Sequence, residues 1–171
     1  DSSRFIYFLS QELKVPVGKI KSFVLGGHGD SMVAMLESTE IDGKNISEII
    51  KDGKLSKEKL DQIVERTKKG GAEIVKYLEK GSAFYAPAAS GVEMAECFIK
   101  DLKKQLPCAA YLNGEYGFTN VYAGVPIIIG KNGVEKIIEL NLSQKEKDAF
   151  ALSVKTVQDL YKAAQKIDPN L

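Results

Sequence analysis

One histidine, two cysteines and five prolines stand among 171 residues, and each scarcity removes a class of chemistry. A single imidazole with no second ligand in a spaced motif is a poor start for a metal centre. Cys97 and Cys108 make neither a disulfide framework nor a Cys-x-x-Cys pair, so a reducing, cytoplasmic setting is expected. Charge of one sign is missing too. Twenty-four basic against 23 acidic residues leave a formal charge of +1, without the positive field that nucleic acid or an anionic membrane would call for. No apolar run nears the roughly 18 residues of a bilayer span, and no leader-like segment opens the sequence. There is no repeat, no low-complexity tract, no Gly-x-Ser-x-Gly elbow and no G-x-G-x-x-G, because Gly27-His28-Gly29 is followed at the third position by Met32.

What is present is organised around Lys21 to Met35, KSFVLGGHGDSMVAM. Ser22 to Leu25 and Met32 to Leu36 read as short strands, and Gly26, Gly27 and Gly29 permit backbone angles that residues with a Cβ resist. Histidine alone among side chains titrates near neutral pH unaided, so any imidazole proton transfer here falls to His28. A turn histidine with no chemical role is the plainer alternative.

The 44% hydrophobic content suits one domain with a real core. Phe5, Phe8, Leu9 and Leu13 recur at helical spacing from Ser2 to about Lys14, and Pro16 ends that helix. Asp1 and Arg4, three apart, leave its first turn towards the same side. Read without further context, Asp1 is a helix cap and Arg4 a solvated charge. Asp42-Gly43 predicts a turn before a short helix from Ile46 to Lys51. Ser56 opens a longer helix, where Gly70-Gly71 predicts a kink or a close contact. Phe84 to Lys104 reads as a further helix whose alanines pack closely and bury Cys97 as a core thiol. From Leu106 the period shifts towards two: Cys108–Leu112, Val121–Ile129 and Val134–Leu140 predict three strands in an antiparallel meander, with Pro126 at an edge or irregular position. Ser143 and Glu146 form a capping box for a last helix to about Lys166. The fold class expected is α+β, antiparallel hairpins packed against several helices.

Taken together, Asp1-x-x-Arg4, the lone His28 in Leu-Gly-Gly-His-Gly-Asp, and Gly81-Ser82-Ala83 before an alanine-rich helix resemble the carboxy-terminal, substrate-binding domain of the lactate and malate dehydrogenase family. The resemblance covers essentially all 171 residues. It implies a single domain over 1–171 whose dinucleotide-binding partner domain lies outside this chain, in keeping with an opening, Asp1-Ser2-Ser3-Arg4, that reads as an excised piece of a longer protein. It implies NAD as cofactor, with His28 as acid/base, Asp1 holding the imidazole in its working tautomer, and Arg4 gripping the substrate carboxylate through two parallel bonds. Gly27 stands where lactate enzymes more often carry an acidic residue. Ala83 stands where they usually place threonine, leaving substrate-binding room for a larger acid, so malate and oxaloacetate are the expected dicarboxylate substrates. Ala34 departs from the proline common after Met-Val in the malate enzymes. A homo-oligomer, dimer or tetramer, is implied, with the helices from Ser56 and Phe84 as contact surfaces, and the fragment alone is expected to be inactive. The rivals are a lactate or other 2-hydroxy-acid dehydrogenase of the same family, a non-catalytic oligomerisation piece, and a serine hydrolase using Ser31 or Ser90 with His28.

Overall fold

The computed structural model describes residues 1–168. Helix α1 (Ser2–Leu13) buries Phe5 and Leu9 completely and stops where Lys14 turns left-handed, two residues before Pro16. Strand β1 (Ile20–Lys21) pairs with β4 (Glu40–Ile41), which turns through Asp42 and Gly43 into β5 (Lys44–Asn45). Both turn residues have positive φ, the mirror-image turn that Asp-Gly favours. Asn45 then caps α2 (Ile46–Lys51): its side chain accepts from Ser47 N–H while Glu48 accepts from Asn45 N–H.

Strands β2 (Val24–Gly26) and β3 (Met32–Ala34) form the predicted hairpin, each shorter than its apolar run. Helix α3 (Lys57–Leu78) starts on the Ser56 cap and runs unbroken through Gly70-Gly71, so the glycine pair marks a contact and not a kink. Helix α4 (Tyr85–Ile99) ends five residues before the Lys104 expected from its pattern. Asp101 and Lys103 are left-handed, and Lys104 is already paired with Ile129 in the sheet. The small residues of α4 are not packed closely within this chain, for among its residues only Cys97 is buried.

The meander is β6 (Lys104–Asn113), β7 (Thr119–Gly130) and β8 (Gly133–Ile137), all antiparallel. Helix α5 (Gln144–Ile167) follows with the expected Ser143 and Glu146 capping box. The larger sheet has the order β3-β2-β7-β6, with β8 also beside β7. Pro126 therefore sits in the central strand and not at an edge. It faces Pro107 across β6, a placement open only to a pair that exchanges no N–H bonds, and β7's other flank passes from β2 to β8 around it.

Two apolar cores share the hairpin. One lies between the large sheet and α4 and α5, around Val125, Ile127, Phe150 and Val154; the other lies among α1, α2, α3 and the small sheet, around Phe5, Leu9, Leu60 and Ile63. Neighbouring residues of a strand face opposite sides, so Val24 enters the second core and Leu25 the first. A strand buried on both faces has to be apolar throughout, as β2 is. The loop that follows β2 emerges at the seam between the cores, and His28 with it.

Candidate active site

Ser2 brings the start of α1 to the hairpin. Its buried hydroxyl accepts the N–H of Val24 at 2.9 Å, fixing the first turn of α1 against β2. Asp1 is thereby delivered to the histidine, and its Oδ2 lies 2.8 Å from His28 Nδ1. Although Asp1 stands at the N-cap, its side chain makes no capping bond, so the simple cap is not what its carboxylate does. An ionised carboxylate only accepts, which places the hydrogen of a neutral imidazole on Nδ1 and leaves Nε2 as the proton acceptor. The His28 side chain is 81% exposed against 20% for Asp1, so the pair has a protected inner half and an open outer half.

Arg4 leaves α1 one turn later and is not a solvated surface charge. With 19% exposure, its guanidinium lies between α1 and α3, donating to the backbone oxygen of Thr67 at 3.0 Å and approaching Asp1 Oδ1 at 3.6 Å. Gly70 makes the room. A Cβ there would overlap Arg4 Cδ and stand 2.7 Å from its Nε. Nη1 serves both Thr67 and Asp1, and Arg4 lines neither of the clefts beside His28.

Two of the loop's glycines, Gly26 and Gly27, leave no space for a side chain, whereas Gly29 stands in open space and is set by its φ of +76. Gly26 is left-handed, with φ +87, and a Cβ on it would lie 2.8 Å from Ser153 Cβ of α5. On the other side Gly124 of β7 pairs with Gly26, and a Cβ at 124 would stand 2.8 Å from the Gly26 carbonyl oxygen. A side chain at Gly27 would strike the Ser31 hydroxyl and stand 3.2 Å from Val157 Cγ2. His28 overlooks two clefts, one of about 400 Å³ shared with Asp1, Ser90 and Tyr122, the other of about 640 Å³ shared with Ser31, Lys68 and Ser153.

The structure thus brings Asp1, Arg4 and His28 together. Ala83 is half-buried in the connection between α3 and α4 and lines neither cleft beside His28. Ser90 lines the first cleft, but among the described residues no serine hydroxyl bonds the imidazole; Ser31 donates to the His28 backbone oxygen at 3.4 Å. The nucleophile and base contact of a hydrolase is not made. Sequence reading gave Ser2 only as the start of a helix and Thr67 only as part of a helical period, and did not single out Ser153. Gly70 had a signal in its doubled glycine, though nothing said that the contact would be Arg4.

A carboxylate-oriented imidazole beside a half-sequestered guanidinium is chemically equipped to move a proton on an anionic substrate, on a scaffold with no phosphate-binding glycine loop of its own. The family model for the lactate/malate dehydrogenase alpha/beta C-terminal domain matches residues 1–167, and the chain belongs to that family. It is 61% identical over 171 residues to a malate dehydrogenase of Pelagibacter ubique, covering 100% of this chain and 53% of that protein. Among solved structures it resembles malate dehydrogenase of Cryptosporidium parvum, with TM-score 0.93 and 42% identity over 96% of this chain and 52% of that one. It also resembles a lactate dehydrogenase of Eimeria maxima solved with NADH and oxamate, with TM-score 0.94 and 40% identity over 98% and 52% of the two chains. The chain spans about half the length of the relatives it matches.

Proposed function

We propose that this chain is the carboxy-terminal, catalytic half of an NAD-dependent malate dehydrogenase, interconverting malate and oxaloacetate. The observation that carries the reading is the Asp1 to His28 contact beside Arg4, in a family whose members carry out this chemistry. His28 Nε2 takes the substrate hydroxyl proton on oxidation and returns it to the carbonyl oxygen on reduction. Asp1 keeps Nδ1 protonated and stabilises the imidazolium that forms, and Arg4 binds the carboxylate next to the reacting carbon. NAD, when bound, accepts or supplies the hydride.

The fit of the cofactor is one of access. An imidazole whose outer face is open can be approached by substrate and nicotinamide together, as His28's is, whereas the phosphate site belongs to the half of the protein outside this chain. Malate is favoured over lactate by the Pelagibacter ubique relative, and Gly27, where lactate enzymes more often carry an acidic residue, agrees with it. Ala83 stays the proposed source of room for the larger acid. A homo-oligomer, dimer or tetramer, is supported by apolar side chains left open on α3 and α4, among them Tyr77, Tyr85 and Ile99, each more than three-quarters exposed. Two unlinked, buried thiols agree with a cytoplasmic setting.

The test is NADH oxidation by the full-length parent with oxaloacetate against pyruvate, for wild type and His28→Asn. A strong oxaloacetate preference that falls at least about a hundredfold in the variant is expected. Preference for pyruvate moves the assignment to the lactate enzymes, and an unaffected variant removes His28 from the mechanism.

A further inference from the structure

We infer that Ser153, on the carboxy-terminal helix, is the positioning residue of His28, an inference that rests on the dehydrogenase reading above. Asp1 orients the imidazole, but something else must fix where the ring stands, because a side chain 81% exposed has almost no packing to hold it. The backbone leading into the histidine is held from α5. Gly27 N–H donates to Ser153 Oγ at 2.8 Å across 126 residues of sequence. Ser153 is 2% exposed, so water does not compete for that bond.

The bond is made possible by shape. Gly26 has no Cβ where the Ser153 side chain enters, and Gly124 has none where the Gly26 carbonyl leans on β7. The loop is therefore gripped between helix and sheet one residue before the histidine. After it, the only comparable side-chain contact among the described residues is Ser31 Oγ on the His28 carbonyl, long at 3.4 Å. Residue 153 has to be small and has to carry an acceptor, and serine meets both requirements. Without the hydroxyl, the Gly27 N–H loses its partner, the loop relaxes, and Nε2 moves relative to a substrate held independently by Arg4. A displacement of about 1 Å at a proton-transfer distance is enough to lower kcat up to a hundredfold while leaving substrate binding intact.

The experiment uses the full-length parent as wild type, Ser153→Ala and, as a control for damage to α5 alone, Val154→Ala, which empties part of the core beside Ser153 without touching the loop. Kinetics with oxaloacetate and NADH, thermal denaturation, and amide exchange at Gly27 with the His28 ring signals by NMR are measured on all three. Ser153→Ala is expected to lower kcat about ten- to a hundredfold with KM within about twofold, to release the Gly27 amide and to shift the ring signals. Val154→Ala is expected to lower Tm with kcat within about threefold. The idea is overturned if Ser153→Ala keeps its kcat, or if Val154→Ala loses kcat to the same extent. Should the wild-type parent turn over neither oxaloacetate nor pyruvate, the dehydrogenase reading fails first; Gly27 exchange and His28 signals unchanged by Ser153→Ala then overturn the clamp as well.

Discussion

Arg4 and Gly70 show how one missing methyl group decides where a guanidinium lies. The guanidinium lies across Gly70 and bonds Thr67, so Gly70→Ala forces the far end of a flexible side chain to move, while the helix itself gains from replacing an interior glycine by about 1 kcal/mol. The expected outcome is a KM for oxaloacetate raised about tenfold with Tm unchanged or higher, read by steady-state kinetics and thermal denaturation. A KM equal to wild type would separate Gly70 from Arg4's function. The cysteines behave differently. Burial pushes the Cys108 thiol up from its ordinary value, with neighbouring Cys97 adding to the effect, so less thiolate is present at pH 8 than on a free cysteine. Both should resist iodoacetamide in the native chain at that pH and react fully in denaturant, as mass spectrometry would show; rapid native alkylation of either would contradict their burial.

At the scale of elements, α5 and the His28 hairpin depend on one another. The capping box ties the start of α5 doubly: Ser143 Oγ accepts from Glu146 N–H, and Glu146 accepts from Ser143 N–H. Glu146 is also buried and accepts the N–H of Glu37 at 3.1 Å, joining the helix start to the chain just beyond β3. Ser143→Ala should therefore cost about 1 kcal/mol by urea denaturation with the slope unchanged, and Glu146→Ala should cost more, because it also strips the partner from Glu37. Equal losses would mean that the Glu37 bond contributes nothing. Further along the same helix, Phe150 and Val154 enter the large core and Ser153 meets the loop, so packing and positioning come from consecutive turns of one element.

For the molecule as a whole, the uneven distribution of burial is the main fact. The two cores are filled, with Phe5, Leu9, Val125, Ile127 and Val154 wholly inaccessible, whereas α4 buries only Cys97 and leaves Tyr85, Val92 and Ile99 open. We propose this open apolar face as a contact between subunits, the half of the relatives' length outside this chain being the other candidate to cover it. The full-length parent is expected to sediment as a dimer or tetramer, and Val92→Glu is expected to shift it towards smaller species. A fully active monomer in the ultracentrifuge would overturn the oligomer proposal.

Local order in the sequence was enough to determine most of the elements, because periodicity, caps and the Asp-Gly turn specify structure within a few residues. The site was legible only through the family resemblance, since local pattern alone made Asp1 a cap and Arg4 a solvated charge. Only the tertiary structure decided that α4 stops at Ile99, that Pro126 lies inside the sheet, and that Gly26 meets Gly124. It alone showed Asp1 turned to the imidazole instead of capping its helix, Arg4 laid over Gly70, and Ser153 holding Gly27. The reason is physical: these outcomes depend on contacts between residues 27 to 126 positions apart, or on a sheet register that takes a strand away from the end of a helix. No pattern within one element carries such information, because the energy that decides it appears only when the two cores close around the hairpin they share.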